Sequence, residues 1–211
     1  MFNVCPRCGQ YSDEKAIDSQ GPFAVCPFCH HPHRFVQLPL FVVTGASGAG
    51  KTTIGLNLVQ TFDRCVTMDN DILWGAVPWS QGNDHRGYHN TWLRVAKNIG
   101  QAGRPVVLLG TVLPEHVEEC PERRYFARIH YLGVVADDAI LAERLRSRPR
   151  WRGSGTPAIV ADMLHVNRHL KANARTVTPL LSLLDTTAMT VEESTRATIE
   201  TIEWIAVRWP A

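Results

Sequence analysis

Short apolar runs alternate along the chain with segments in which apolar residues recur at helical spacing. Four runs rich in valine, leucine and isoleucine are typical of buried strands and cover 40–43, 106–111, 129–135 and 180–185. A weaker β-compatible run covers 65–68. Helical patterns lie between or after these runs, at 54–59, 88–99, 139–148, 159–170 and 190–209. The alternation predicts an α/β fold, with a parallel sheet of about five strands and helices on both faces.

Length, charge and composition narrow the class of protein. A chain of 211 residues can bury one large core and carry a small appendage. The formal net charge of +2 is too small to indicate a nucleic-acid surface by itself. Since no run approaches ~18 apolar residues, and the first residues lack the pattern of a signal peptide, we expect a cytoplasmic protein without a membrane partner. A nucleic-acid partner is not favoured, and the oligomeric state is left open.

A phosphate-binding loop follows the first apolar run and precedes a helical pattern. Gly45, Gly50, Lys51 and Thr52 fit the motif G-x-x-x-x-G-K-[ST] between a strand and a helix, the context that this motif requires. A glycine-rich turn with a chance lysine is the alternative, and it does not explain both flanks. We therefore predict that nucleotide phosphates contact Gly45, Ala46, Ser47, Gly48, Ala49, Gly50, Lys51, Thr52 and Thr53. Lys51 would reach the β- and γ-phosphates, and the Thr52 hydroxyl would hold Mg²⁺.

Two C-x-x-C pairs lie before the first strand of the predicted sheet. Cys5 and Cys8 are separated from Cys26 and Cys29 by 17 residues, a spacing that resembles a zinc ribbon with four thiolate ligands for one structural Zn²⁺. Redox-active pairs are one alternative, and a histidine among 30, 31 and 33 in place of one cysteine is another. We predict a zinc-ribbon-like module over residues 1–36, docked on a second domain over residues 37–211.

Asp69 and Asp71 flank Asn70 at the end of the predicted strand 65–68. Alternation places both carboxylates on one side, where Asp69 could hold Mg²⁺ through water and Asp71 could orient or deprotonate an acceptor hydroxyl. Capping of the following helix by either residue is the alternative. The two roles can coexist.

Three arginines are further candidates for contacts with the nucleotide or the acceptor. Arg144 and Arg148 lie one helical turn apart and lead into a glycine-hinged segment, which favours a lid over 144–156 that covers a transferring phosphoryl group. A solvated basic helix end is the alternative. Arg94 could bind an anionic or hydroxylated substrate, or lie in solvent. The segment 122–124 is expected to be a solvated turn, and 75–87 a loop.

The order of these elements from 40 to 209 is similar to that of the P-loop kinases of nucleoside monophosphates and small metabolites. Within this resemblance, Asp69 and Asp71 match the D-x-D of shikimate- and gluconate-type kinases, residues 144–152 match the lid, and 184–188 look like the segment beside the adenine. The chain differs in its zinc-ribbon-like module, in the loop 75–87, and in a strand 106–111 without the terminal aspartate of a Walker B motif.

Together these features predict an ATP- and Mg²⁺-dependent kinase of a small molecule, with a nucleoside or nucleotide as the preferred acceptor. Lys51, Asp71, Arg144 and Arg148 would be catalytic, Arg144 would also contact the nucleotide, and Arg94 and Asp71 would contact the acceptor. A nucleotide-dependent binding or regulatory protein, whose zinc module contacts a partner or nucleic acid, is the first alternative. An antibiotic-modifying kinase is the second.

Overall fold

A small three-stranded sheet forms the N-terminal part of the computed structural model, which describes residues 2–18, 20–76, 85–176, 179 and 181–207. Its strands are antiparallel in the order β1 (Ala16–Ile17), β2 (Phe23–Val25) and β3 (Pro32–Arg34). Two cysteine-containing turns precede β1 and connect β2 to β3. The strands are short because few apolar residues are available in this part of the chain to build a larger sheet.

A five-stranded parallel sheet forms the centre of the molecule and confirms the predicted fold class. Its strands are arranged in the order β5-β6-β4-β7-β8, and their bounds are β4 (Leu40–Gly45), β5 (Val66–Asp69), β6 (Val106–Gly110), β7 (Ile129–Val135) and β8 (Leu181–Asp185). Central strands β4 and β6 are buried along their whole length. This burial on both faces explains why their sequences are continuous apolar runs.

Among the described residues, six helices accompany this sheet: α1 (Lys51–Thr61), α2 (Arg86–Gly100), α3 (Pro114–Glu118), α4 (Asp138–Arg146), α5 (Pro157–Asn173) and α6 (Val191–Val207). The same part of the chain has 3₁₀ turns at Asn70–Leu73, Pro121–Tyr125 and Arg150–Arg152. Most of the predicted loop 75–87, residues 77–84, lies outside the described residues, as do Leu180 and the last residues of the predicted terminal helix. Within the described ranges, no helix is long and apolar enough to cross a membrane.

The two faces of β4 lead into two separate cores. Leu40 and Val42 pack in one cluster with Trp92 of α2, whereas Phe41 and Val43 pack in the other with residues of α1, α4 and α6. The alternation along a single buried strand therefore divides the helices between two layers. Since each layer supplies its own apolar face, the sheet is covered on both sides, as predicted.

The N-terminal sheet is docked on the parallel-sheet domain through an aromatic cluster. The rings of Phe2 and Phe35 pack against Tyr125, with ring centroids 5.1 and 6.2 Å from that of Tyr125. Around this cluster, Lys97 and Glu122 form an ion pair of 2.7 Å between side chains that are each 1% exposed. Because Glu122 is buried and paired, the expectation of a solvated turn at 122–124 is wrong for this residue.

Candidate active site

The phosphate-binding loop connects β4 to α1 in a conformation that requires glycine. Gly50 caps the start of α1 with φ 110°, a value that residues with a side chain rarely adopt. At Gly45, a Cβ atom would lie 2.3 Å from the main-chain oxygen of Val134. Neither position therefore accepts a side chain without a shift of the backbone, so the two glycines fix the path of the loop into the N-terminus of α1, an end of a helix that favours an anion.

The Lys51 side chain folds back onto the loop and hydrogen-bonds to it through its ammonium group. Its Nζ donates to the main-chain oxygens of Gly45 and Ala46, at 2.7 and 3.1 Å, and lies 3.5 Å from the hydroxyl oxygen of Thr111. Burial lowers the pKa of Lys51 to about 8, and the nearby carboxylate of Asp71 opposes this shift. An anion in the cleft would raise this pKa and keep Lys51 charged. The charged form is the one that can pair with a phosphate group.

One cleft brings together residues from both sides of the predicted site. The phosphate loop contributes Lys51, Thr52 and Thr53 to its lining, and the end of β5 contributes Asp69 and Asp71. The segment after α4 contributes Arg148 and Arg152. The rest of the lining comes from the loop residues Ser47, Gly48 and Gly50 and from the end of β6, at Leu109, Gly110 and Thr111. Since parallel strands end at the same edge of a sheet, these distant segments converge.

Asp69 and Asp71 have different environments. The Asp69 carboxylate accepts a hydrogen bond of 2.9 Å from the main-chain N–H of Asp71, so it caps the 3₁₀ turn Asn70–Leu73. Burial raises the pKa of Asp71, the neighbouring Asp69 raises it further, and Lys51 opposes both effects. The capping alternative therefore holds for Asp69, which lines the cleft as well, while Asp71 has the raised pKa that suits a proton acceptor.

Asn70 lies between these two carboxylates and was not predicted as part of the site. It is 4% exposed, and its main-chain oxygen accepts hydrogen bonds from the hydroxyl of Tyr88 and from Nε1 of Trp92, the latter at 3.1 Å. Its side chain packs on Gly110, where a Cβ atom would lie 2.1 to 2.3 Å from the amide atoms. The glycine at the end of β6 thus makes room for the Asn70 side chain. No local sequence pattern connects these two positions.

The two predicted lid arginines do not have the same contacts. Arg148 lines the cleft beside Lys51, together with Arg152. Arg144 instead donates to the main-chain oxygen and to the hydroxyl of Thr186, at 2.9 and 3.2 Å. It lines a neighbouring groove with Gly48, Arg148 and Thr186. This groove borders 184–188, the segment predicted to lie beside adenine.

Arg94 lies away from the cleft. Its guanidinium group forms ion pairs of 2.7 Å with Asp13 and 2.9 Å with Glu122, and so connects α2 to the N-terminal module. It is not among the residues that line the cleft. Because Nε and Nη2 of Arg94 are used by carboxylates within the protein, the structure gives no support to the predicted contact of Arg94 with substrate.

The four predicted zinc ligands converge in the N-terminal module. All four sulfur atoms lie within 4.8 Å of one another, with Cys5 and Cys29 3.7 Å apart and Cys8 and Cys26 3.8 Å apart. Zn–S bonds of about 2.3 Å in a tetrahedron give S–S distances of about 3.8 Å, so this donor set fits Zn²⁺. None of the four cysteines forms a disulfide bond.

The two cysteine turns repeat one hydrogen-bond pattern. In the first, the N–H of Gly9 donates to the oxygen of Cys5, and in the second the N–H of His30 donates to the oxygen of Cys26, at 2.9 and 3.0 Å. Gly9 and His30 both have positive φ, at 72° and 56°. Main-chain N–H groups of the turn, that of Cys8 above all, lower the pKa of Cys5 to about 6. The main-chain N–H of Gln10 lowers the pKa of Cys8, but burial and the neighbouring cysteines outweigh it and raise this pKa to about 12.

Several solved structures have a fold similar to that of this chain. A sugar kinase from Janibacter sp. HTCC2649 is 16% identical with a TM-score of 0.58, and the match covers 79% of this chain and 95% of that one. A gluconokinase from Sinorhizobium meliloti 1021 is 18% identical with a TM-score of 0.57, over 83% and 97% of the two chains. The tunicamycin resistance protein of Deinococcus radiodurans is 15% identical with a TM-score of 0.56, over 79% and 96%.

At these identities, the likenesses show that the chain shares its fold with these proteins and show nothing beyond the fold. No protein-family model and no curated protein matches the chain.

Proposed function

We propose that this protein is an ATP-dependent phosphotransferase that acts on a small molecule, with a nucleoside or nucleotide as the preferred acceptor. The observation that carries the proposal is the single cleft shared by Lys51, Asp69, Asp71 and Arg148. Phosphoryl transfer needs cations around the transferred group and a carboxylate near the attacking hydroxyl. The cleft supplies both.

Each side chain has a defined role in this proposal. Lys51 and Arg148 neutralise the charge that develops on the transferred phosphoryl group, and Arg144 contacts the nucleotide from the neighbouring groove. Asp71 orients the acceptor hydroxyl and takes its proton, for which its raised pKa is suited. With a phosphate acceptor no base is needed, and Asp71 positions a sugar hydroxyl instead.

The donor set of the cleft also fits Mg²⁺. Thr52 offers a hydroxyl and Asp69 a carboxylate, and oxygen ligands of this kind are those that Mg²⁺ prefers. Bound with ATP, the ion would neutralise charge on the β- and γ-phosphates. In the N-terminal module, Cys5, Cys8, Cys26 and Cys29 would hold one structural Zn²⁺ with no open position, so that this metal takes no part in the chemistry.

The division of the chain at residue 36 and the lid over 144–156 belong to the same proposal. The segment 144–156 includes the 3₁₀ turn Arg150–Arg152, and it ends at Thr156, which caps α5. Closure of this segment would bring Arg148 and Arg152 nearer to the phosphates. The matched solved structures are named kinases in several cases, which supports the proposal without identifying an acceptor.

An acceptor screen tests the proposed function. Wild-type protein and the Lys51→Ala variant are incubated with ATP and Mg²⁺ and with nucleosides, nucleoside monophosphates, sugars or antibiotics. Antibiotics belong in the panel because one solved relative is a tunicamycin resistance protein. We expect ADP formation that depends on one acceptor class and is lost in the variant. Nucleotide binding without acceptor-dependent ADP formation in any class would favour the binding-protein alternative.

Metal analysis tests the zinc centre separately. We expect one zinc per chain in protein purified without chelators, and a lower content with reduced thermal stability in Cys26→Ser, because folding of the module depends on the metal. A disulfide at either C-x-x-C pair in a folded, metal-free protein would contradict the four-thiolate site.

A further inference from the structure

Helix α2 donates hydrogen bonds to the main-chain oxygen of Asn70 on the side of the cleft that carries Asp69 and Asp71, which we call the acceptor side because of the role proposed for Asp71. The hydroxyl of Tyr88 and Nε1 of Trp92 both donate to the oxygen of Asn70, and both rings are at most 2% exposed. Asn70 is the residue between Asp69 and Asp71. The direction of both carboxylates therefore depends on where α2 places these two donors.

The same helix contacts the N-terminal module further along its length. Arg94 pairs with Asp13, and Lys97 donates to Oδ1 of Asn3 at 3.2 Å. The ammonium group of Lys97 also lies 4.6 Å from the centroid of the Phe2 ring. From position 88 to position 97 a helix rises only about 13 Å, so the two sets of contacts lie on one short rigid element.

The contacts on the module side are linked to the cysteine centre by a few residues. The N–H of Ser12 donates to the oxygen of Asn3, and the N–H of Cys5 donates to the oxygen of Gln10, each at 2.9 Å. Between them, Val4 forms a β-bridge with Tyr11. One short segment, paired with residues 10–12, therefore carries both Asn3, which contacts Lys97, and Cys5.

We propose that the N-terminal module, when its four cysteines hold zinc, positions the acceptor-side carboxylates through α2. Tyr88 and Trp92 are positioning residues in this arrangement, and Arg94 and Lys97 transmit the docking of the module to them. The value of this arrangement for catalysis rests on the proposed kinase function, whereas the mechanical link itself does not. Loss of zinc loosens the turn Asn70–Leu73 and leaves the phosphate loop ordered.

Amide hydrogen exchange measures this link without any acceptor. Exchange is followed by mass spectrometry in peptides that cover residues 66–76 and, as an internal reference, α1. The zinc-loaded wild type is compared with chelator-treated protein and with the variants Tyr88→Phe and Arg94→Met. Tyr131→Phe and Arg64→Met are the matched controls, since they remove a buried tyrosine hydroxyl bound to Glu118 and a surface ion pair with Glu203.

We expect exchange in 66–76 to accelerate roughly 2- to 10-fold in Tyr88→Phe, in Arg94→Met and after zinc removal, while α1 and both controls stay unchanged; loss of one hydrogen bond changes local opening by about this factor. Unchanged exchange in 66–76 after zinc removal, or equal acceleration in α1, would overturn the proposal.

Activity data then separate the two proposals. Once an acceptor is known, Tyr88→Phe should lower kcat with an unchanged KM for ATP. If no acceptor is phosphorylated but exchange responds as expected, the kinase function fails and the positioning link stands. If the wild type phosphorylates an acceptor but zinc removal and Tyr88→Phe leave exchange in 66–76 unchanged, the kinase function stands and the positioning link fails.

Discussion

The two sides of the cleft are built in different ways. On the phosphate side, the loop between β4 and α1 is shaped by its glycines and offers main-chain N–H groups, with Lys51 bound to the loop's own oxygens. On the acceptor side, Asp69 and Asp71 lie on a short 3₁₀ turn whose central carbonyl is held by Tyr88 and Trp92 from α2. The loop motif is contiguous in sequence, and the folded chain adds bonds to it from Thr111 and Thr186, whereas the turn that carries the two carboxylates has no contiguous motif and is held by a helix.

This difference indicates which parts of such a site are general and which are particular. Main-chain groups at a helix N-terminus bind any phosphate, so one compact loop can serve many acceptors. Side chains that select and activate an acceptor need support from outside their own segment. Changes on the phosphate side should therefore abolish every activity, whereas changes on the acceptor side should act selectively.

Lys51→Ala should have the largest effect. Removal of the ammonium group takes away charge stabilisation at the γ-phosphate, and we expect turnover to fall by about 10²- to 10³-fold with an unchanged thermal melting temperature. Lys171→Ala is the control, since Lys171 donates to the oxygen of Ala136 and does not line the cleft. Full turnover in a folded Lys51→Ala variant would contradict the proposed mechanism.

Asp71→Asn should lower kcat by about 10²- to 10⁴-fold while the KM for ATP changes little, because only the acceptor step uses this carboxylate. Asp69→Asn provides the comparison. Asparagine is an equally good cap for the 3₁₀ turn, so this change removes charge and keeps the local structure. It should mainly raise the Mg²⁺ concentration needed for half-maximal rate, and equal, mild effects of both variants would support capping as their only role.

Gly110→Ala probes the contact between the two sides of the cleft. The added Cβ would lie 2.1 to 2.3 Å from the Asn70 amide, so we expect a loss of about 1–3 kcal/mol in the free energy of unfolding. Gly87→Ala is the comparison variant, because no atom of the described residues lies within 4 Å of its Cβ position. Denaturant titration compares the two variants, and equal stabilities would show that Asn70 can move away freely.

The pH dependence of nucleotide affinity should be the smallest effect. Lys51 has a pKa of about 8 in the free protein, below its ordinary value, and bound phosphates favour its charged form. Nucleotide affinity should therefore be constant below about pH 8 and fall by up to roughly tenfold per pH unit above it, with proton uptake on binding. Calorimetry in buffers of different ionisation enthalpy measures that uptake, and an affinity that is flat from pH 7 to 9.5 would exclude this pKa.

Much of the sheet and the phosphate loop could be predicted because their signals are local. Strands β4, β6 and β7 are apolar along their length since both faces are buried, and the loop motif is contiguous. The start of α6 is local in the same way, since Thr190 and Glu193 form the reciprocal hydrogen bonds of a capping box. In each case neighbouring residues determine the structure.

The acceptor side could be predicted only in part because its supports are remote in sequence. A lysine and a glutamate such as Lys97 and Glu122 are expected in solvent, and only the folded chain brings them together in a buried pair. Arg94 shows the same limit, since its partner Asp13 lies 81 residues away. Roles assigned to the carboxylates and arginines of the cleft remain predictions.

The aromatic cluster that docks the N-terminal module also affects the order of events during synthesis. Phe2 and Phe35 precede their partner Tyr125 along the chain, Phe2 by 123 positions. At a translation rate of roughly 5–20 residues per second, the ribosome delivers Tyr125 roughly 6 to 25 s after Phe2. If the four cysteines bind zinc as proposed, the metal would order the nascent module during that interval, and zinc supply in the cell should influence how much of the newly made protein reaches its docked form.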